Sequence, residues 1–234
     1  MDGDVAPLTE LVELARRHRV RLVVDEAHGV GCLGPGGRGA VHEAGLEHEV
    51  DVVVGTLGKA LGAYGAYVTC DSDVAEYLVN RSRPFIFSTA PPPPAIAGAL
   101  AALDLLREEP RRVERLAQNG AALRDELARE GFDVSASTTQ IVPLVIGDAA
   151  QAMQICELAI EHGVFAQAIR PPTVAEGTSR LRLAVMATHT KDELREAARV
   201  LGRAALQAGF RPGSGEPVAA ARETGRPRRQ RAAA

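Results

Sequence analysis

Residues 51–70 read DVVVGTLGKALGAYGAYVTC, a short apolar run, a glycine-rich turn and a second short apolar run. The runs at 51–54 and 65–69 each predict a strand, because apolar residues are bounded there by turn-forming residues. Lys59 lies in the turn, and Lys191 is the only other lysine among 27 basic residues. Because glycine carries no side chain, the turn around Lys59 leaves room for a ligand to approach the backbone.

A second polar group follows the run Val20–Val24, which predicts a buried parallel strand. Asp25 and His28 come directly after it, in the sequence DEAH. Ligands of open α/β sheets bind at the carboxyl ends of the strands, so these residues and Lys59 predict one site. A lysine amine can form a Schiff base, whereas arginine stays protonated. A Schiff-base lysine with an acidic partner for a pyridinium nitrogen is typical of pyridoxal-phosphate enzymes.

DEAH also occurs in nucleotide hydrolases, where the strand-end Asp holds Mg²⁺. That function requires a phosphate-binding loop of the form GxxxxGK[ST]. The nearest match, GTLGKA at 55–60, has different glycine spacing, lacks a hydroxyl after the lysine and follows DEAH instead of preceding it. The nucleotide-hydrolase hypothesis is therefore disfavoured unless a phosphate loop lies outside this sequence, and ATPase activity would support it.

The composition is that of a soluble globular protein, with 46% hydrophobic and 24% charged residues. An aromatic content of 3%, no Trp and a net charge of −3 disfavour a nucleic-acid-binding surface. The three cysteines are isolated in sequence, which predicts reduced thiols and a cytoplasmic protein without a metal site. No apolar run is long enough to cross a membrane.

The periodicity predicts two domains joined by a helix. Residues 1–94 form part of a larger domain that begins with a helix at 7–18, and residues 95–110 form the connecting helix after the prolines at 91–94. Residues 111–210 form a smaller α+β domain. Its predicted elements are helices at 111–130, 149–162 and 191–207 and strands at 140–146 and 180–186. Residues 211–234 hold six Arg and two Glu and predict a disordered tail.

Four segments resemble the 8-amino-7-oxononanoate synthase family, which belongs to the α-oxoamine synthase group of fold-type-I pyridoxal-phosphate enzymes. They are MDGDVAPL, LVVDEAHGVGCLGPGGRG, TLGKALG and AIRPPTVAEGTSRLRL. The similarity extends over residues 1–208. It implies an α/β fold, with the later part of a parallel-rich large-domain sheet followed by a smaller α+β domain. The expectation is that the family's earlier half is absent, since residues 1–94 predict only about three strands where five or six are usual.

The resemblance implies a cofactor site for pyridoxal 5′-phosphate (PLP). Lys59 would form the Schiff base, Asp25 would pair with the pyridine nitrogen, and His28 would hydrogen-bond the phenolic oxygen and help position the acyl group. Thr56 would contact the phosphate. Two further residues match a position where the dimer partner reaches the phosphate: Ser88 and Thr89.

The resemblance also implies a substrate site in the second domain. Arg182 would bind the amino-acid carboxylate, a task suited to a bidentate guanidinium. Thr173 matches a substrate-contacting position in the segment RPPTV. Arg170 is a further substrate-binding candidate, and Arg180 has a structural role.

The implied activity is the decarboxylating condensation of L-alanine with pimeloyl-CoA or a pimeloyl carrier protein, a step of biotin synthesis carried out by a homodimer. Lys59 would remove the Cα proton. The alternatives are another α-oxoamine synthase, such as 2-amino-3-ketobutyrate ligase, 5-aminolevulinate synthase or a long-chain acyl synthase, and an inactive remnant. Because ring stacking and part of the phosphate site belong to the family's earlier half, the expected activity of this chain alone is weak or absent.

Overall fold

The computed structural model describes residues 1–213 as two three-stranded sheets with helices packed around them. The predicted disordered tail therefore lies, from residue 214 onward, outside the described residues. The strands, in chain order, are β1 (Val23–Asp25), β2 (Val52–Thr56), β3 (Ala66–Cys70), β4 (Ile141–Gly147), β5 (Gln167–Ile169) and β6 (Ser179–Ala184). The helices are α1 (Leu8–His18), α2 (Ala40–Glu43), α3 (Ser72–Arg81), α4 (Arg83–Ile86), α5 (Pro93–Glu108), α6 (Arg111–Arg129), α7 (Ala149–Glu161) and α8 (Lys191–Gln207).

The first sheet has the order β1-β2-β3 and is mixed. β1 and β2 are parallel, with Asp25 opposite Val54, whereas β3 runs antiparallel to β2. The expectation of a parallel-rich sheet is therefore wrong for the described residues, because the glycine-rich turn around Lys59 returns the chain directly as a hairpin. The expected buried strand at Val20–Val24 is also corrected: β1 starts at Val23, whose side chain is 61% exposed.

The second sheet has the order β4-β6-β5 and is antiparallel throughout. Strand β6 alternates buried and partly exposed residues, β4 is buried along most of its length, and helices α6, α7 and α8 cover the buried face. The main hydrophobic core lies here. Its fully buried side chains include Leu127, Val142, Leu144, Ile155, Leu181 and Leu201. An antiparallel sheet with helices on one face is typical of the predicted α+β unit.

A smaller core supports the first sheet. Helix α1, which lies where a helix was predicted, buries Leu8, Val12 and Ala15, whereas its apolar residue Leu14 is 49% exposed. Leu8 and Val12 form a small cluster with Ala40, Val41 and Val50.

Several boundaries differ from the sequence prediction for physical reasons. Helix α5 begins at Pro93 and not at residue 95, because proline is accommodated in the first helical turn, where backbone N–H groups lack partners. The glycine-rich loop 31–40 contains one turn of 3₁₀ helix at Pro35–Gly37. The short elements α2, α3, α4 and β5 were not predicted. The domain boundaries at 94, 110 and 210 stay predictions.

Candidate active site

The DEAH turn begins where β1 ends. The Ala27 N–H donates to Asp25 Oδ1 at 2.8 Å, so the carboxylate of Asp25 caps the turn that carries His28. Because β1 and β2 are parallel, the segments that follow them leave the sheet at the same edge. This geometry places the Asp25–His28 turn beside the loop that carries Lys59, as the sequence predicted.

Glu26 connects the DEAH turn to the start of α2, a role that was not recognised from sequence. Its side chain is 3% exposed, and its carboxylate accepts the N–H groups of Ala40 (3.0 Å) and Val41 (2.7 Å) at the start of α2. A Cβ added at Gly29 would lie 1.9 Å from Glu26 Oε2, so the loop passes close to this carboxylate only because it carries glycine there. A strand-end acid followed by a glycine-rich loop was the signal that could have identified this anchor.

The turn around Lys59 is closed by hydrogen bonds. Thr56 Oγ1 donates to the carbonyl oxygen of Gly65 at 3.1 Å and accepts from the N–H of Gly58 at 3.2 Å. Gly65 has a φ of +114°, a conformation that favours glycine. The hydroxyl of Thr56 therefore braces the turn in this structure, and Lys59 projects as an exposed side chain.

A cavity of about 310 Å³ lies at the edge of the first sheet. Asp25, His28 and Lys59 all line it, so the structure brings together the three residues predicted to be catalytic. Residues of the N-terminal segment also line this cavity, as do residues 139–141 at the start of β4 in the second sheet. The cavity is therefore bounded by both halves of the described chain.

Arg182 of β6 reaches this site through His28. Its Nη2 lies 3.3 Å from His28 Nε2. A guanidinium can only donate, so Nε2 acts as the acceptor of a neutral imidazole. Burial, followed by the positive charges of Lys59 and Arg182, lowers the pKa of His28 below its ordinary value, which favours this neutral form.

The remaining predicted residues do not line the cavity. Ser88 and Thr89 lie in an exposed segment between α4 and α5, where Ser88 Oγ donates to the carbonyl oxygen of Thr89. Thr173 and Arg170 lie in the exposed turn after β5, where the Thr173 N–H donates to the Arg170 carbonyl oxygen at 3.1 Å. Arg180, for which a structural role was predicted, forms an ion pair with Asp2.

Gln140 is a further residue at this site that the sequence reasoning missed. Its side chain is 8% exposed, and its Nε2 donates to the carbonyl oxygen of His28 at 2.9 Å. The sequence carries little signal for this contact, because the two residues are 112 positions apart and the acceptor is a backbone group.

No helix within residues 1–213 is both long and apolar enough to cross a membrane. The same residues contain no group of three or more His, Cys, Asp or Glu side chains that could hold a metal ion.

The fold and site place the chain in a known class: it belongs to the aminotransferase class I and II family, whose sequence profile matches residues 1–201. Within this class it is a homologue of 8-amino-7-oxononanoate synthases. It is 47% identical over 203 residues to the synthase of Citrifermentans bemidjiense, covering 86% of this chain and 52% of the relative. It is 52% identical over 194 residues to that of Anaeromyxobacter dehalogenans, covering 83% and 49%.

Solved structures agree with this assignment. A serine palmitoyltransferase from S. paucimobilis, solved with a bound PLP–myriocin aldimine, superposes with a TM-score of 0.84 at 33% identity. The match covers 89% of this chain and 53% of the transferase. The described fold therefore corresponds to part of a fold-type-I PLP enzyme. The chain spans about half the length of the curated relatives it matches.

Proposed function

We propose that this chain acts as a PLP-dependent acyltransferase that condenses L-alanine with a pimeloyl thioester, with decarboxylation, to give 8-amino-7-oxononanoate for biotin synthesis. One observation carries the proposal: Asp25, His28 and Lys59 line one cavity in a chain that is 47–52% identical to 8-amino-7-oxononanoate synthases. Identity at this level favours the same substrates over those of more distant relatives.

The residues of the cavity fit PLP. A primary amine and a carboxylate, delivered by two different strands, line a cavity within the size range of small-molecule sites. Lys59 would hold the cofactor, and Asp25 would keep its ring nitrogen protonated. When bound, PLP supplies an electron sink that makes the Cα–H bond of an amino acid acidic.

The protein's own groups would then handle the substrate. Arg182 would bind the alanine carboxylate, since a guanidinium can donate two parallel hydrogen bonds to it. The amine of Lys59 would take the proton from Cα and later return one. His28, held neutral by its lowered pKa, would donate or accept a hydrogen bond without adding positive charge beside Lys59.

A bond forms between the alanine Cα and the thioester carbonyl carbon as the C–S bond breaks, and the thiol leaves with a proton. The alanine carboxyl group then leaves as CO₂. A proton returns to Cα to give the amino ketone. The thiol is coenzyme A or the prosthetic group of a carrier protein.

A homodimer is part of the proposal. Phe85 and Phe87, beside Ser88 and Thr89, are 64% and 76% exposed. Large apolar side chains at the surface are typical of interfaces. They support the proposal that Ser88 and Thr89 contact the phosphate bound by the partner subunit. On the family resemblance alone, we also propose that Thr56 completes the cofactor site and that Thr173 and Arg170 complete the substrate site.

We also propose a cytoplasmic location, because the cysteines are not paired in disulfides. Cys32, Cys70 and Cys156 are all free thiols. Cys156 is buried, and burial raises the pKa of the Cys32 thiol, so neither is a ready nucleophile. Unpaired, unreactive thiols fit a reducing compartment.

A second candidate is another α-oxoamine synthase. The superposition on a serine palmitoyltransferase favours it, because that enzyme has the same fold at 33% identity. The 33% identity between this chain and the transferase is lower than the 52% identity to the Anaeromyxobacter synthase, so the pimeloyl enzyme remains the first candidate. An inactive remnant would retain the fold and form no product.

The test of cofactor binding is chemical trapping. The purified chain is incubated with PLP and reduced with borohydride, which converts even a sparsely populated Schiff base into a stable secondary amine. Peptide mass spectrometry should place the added group on Lys59. Lys191 is the internal control, because its Nζ donates to the carbonyl oxygen of Gln118, away from the cavity.

Two lysine variants test whether the label is specific to Lys59. Lys59→Ala should abolish the specific label, and Lys191→Ala should retain it. Equal labelling of both lysines would contradict a built site. Substrate class is then decided by product analysis with L-alanine and pimeloyl-CoA, against glycine with acetyl-CoA or succinyl-CoA and L-serine with a long-chain acyl-CoA.

A further inference from the structure

Gln140 connects the second sheet to the DEAH turn. It immediately precedes β4, and its carbonyl oxygen accepts the N–H of Val185 at 2.9 Å, so its main chain is fixed in the sheet. From this base its buried side chain reaches across, and Nε2 donates to the carbonyl oxygen of His28 at 2.9 Å. A buried amide with a fixed backbone has few alternative conformations.

His28 is contacted twice from the same sheet. Gln140 holds its main chain, and Arg182 Nη2 lies 3.3 Å from its ring Nε2. Arg182 lies opposite Pro143 in the β4–β6 pairing, only three residues beyond Gln140 along β4. Both contacts therefore come from residues of the second sheet or directly beside it, and they hold His28 at its carbonyl group and at its imidazole.

The orientation of the Gln140 amide follows from its partners. Among the atoms of residues 1–213, Oε1 is buried without a hydrogen-bond partner. A flipped amide would place Oε1 against the carbonyl oxygen of His28, two acceptors facing each other. Nε2 is thus the atom that matters, and only a long side chain ending in a donor can supply it from this position.

We propose that Gln140 is a positioning residue of the candidate active site, which holds the Asp25–His28 turn against the second sheet so that the His28 ring stays beside Arg182 and Lys59. This inference rests on the function proposed above, because it gives His28 its place there. Gln140 acts through His28 and is not required to touch the substrate or the cofactor.

The consequence is measurable on His28 itself. The charged groups that face its ring are Lys59, Arg182, the Met1 amino group and Asp25. Burial and the three cations lower its pKa, while Asp25 opposes them. If the turn is released from the second sheet, His28 becomes more hydrated and moves away from Arg182, so its pKa rises toward the ordinary value.

The experiment is an NMR titration of the imidazole signals of the full chain, without cofactor or substrate, in which a His28→Asn variant identifies the His28 signal. Gln140→Met keeps the side-chain length and removes the donor, and it should raise the pKa of His28. Gln151→Met is the matched control: it removes a 3.0 Å bond from Nε2 to the carbonyl oxygen of Ala208, far from the site. The control should leave the pKa of His28 unchanged.

The outcomes are distinct. An unchanged His28 pKa in folded Gln140→Met, or an equal rise in Gln151→Met, would overturn the inference. If Gln140→Met does not fold, the unmodified chain decides through nuclear Overhauser contacts between the Gln140 side-chain amide and the main-chain protons of His28 and Gly29. Their presence supports the contact and their absence overturns it. Because PLP is not used, the result is independent of the labelling of Lys59.

Discussion

At the residue level, Gly55 and Gly98 both lack a positive φ but differ in the space available for a side chain. A Cβ added at Gly55 in β2 would lie 2.2 Å from Cζ of Tyr67 on β3, whereas one added at Gly98 in α5 would meet no atom within 4 Å. We expect Gly55→Ala to lower the free energy of unfolding by about 1–3 kcal/mol, because the Tyr67 ring must move. Gly98→Ala should raise it by about 0.5–1 kcal/mol through helix propensity. Urea unfolding of both variants measures the difference.

The outcome against this view is equally clear. A Gly55→Ala chain as stable as the unmodified protein would mean that the Tyr67 ring moves aside at little cost. The close approach would then not be what requires glycine at this strand position, and the hairpin that returns from Lys59 would depend on its turn alone.

The residues of the site divide into those that sequence could predict and those that it could not. Asp25, His28 and Lys59 were predictable, because each lies at or just beyond the carboxyl end of a strand and ligands bind at that edge of a sheet. For Glu26 the sequence offered only its place before a glycine-rich loop, and for Gln140 almost no signal, because their partners are backbone groups supplied by other parts of the chain. Composition and periodicity contain no information on which main-chain group a buried side chain will meet.

At the level of elements, helix α8 is defined by its first turn. Thr190 Oγ1 accepts the N–H of Glu193, and Glu193 Oε2 accepts the N–H of Thr190, a complete capping box. We expect Thr190→Ala to lower the free energy of unfolding by about 0.5–2 kcal/mol, because an N–H group at the helix end loses its partner. Chemical denaturation measures the change.

The matched control is Thr188→Ala, an exposed threonine in the turn before the helix. It should change stability by less than about 0.5 kcal/mol. If the two variants lose equal stability, the loss would come from the threonine methyl or from β-branching, and the cap would not be its source.

Predictability of the elements followed their length and their termini. Helix α8 was predicted with its observed bounds and α6 to within one residue, because both combine a long apolar stripe with clear ends. Strand β5 was missed, since three residues cannot display an alternating pattern. Strand β1 was assigned as buried from its valines, but burial depends on what covers a strand and not on its own composition.

For the whole molecule, the two sheets differ in how well they are covered. β4 is buried along most of its length, whereas β1 and β3 are half exposed. We expect backbone amides of β4 and β6 to exchange with deuterium more slowly than those of β1 and β3, by on the order of tenfold or more, because local opening costs more where more apolar surface is buried. Hydrogen-exchange mass spectrometry resolves the two groups.

Equal protection of both sheets would argue that they open together as one cooperative unit. That result would also bear on the predicted boundary near residue 110, since a domain with its own core should open separately. The prediction of two units came from the proline block and the change in element pattern, and sequence alone contains no measure of their relative stability.

The contact between His28 and Arg182 couples proton binding by His28 to the separation of the second sheet from the DEAH turn. Any separation of the second sheet from the DEAH turn would expose His28, remove Arg182 from its ring and raise its pKa, so the opened form would take up a proton at pH values between the lowered pKa and the ordinary value of 6.5. By the same linkage, acidification favours the opened form. The protons taken up when the sheet separates from the turn can be measured by calorimetry in buffers of different ionisation enthalpy. This measurement would therefore report the opening without any label on the protein.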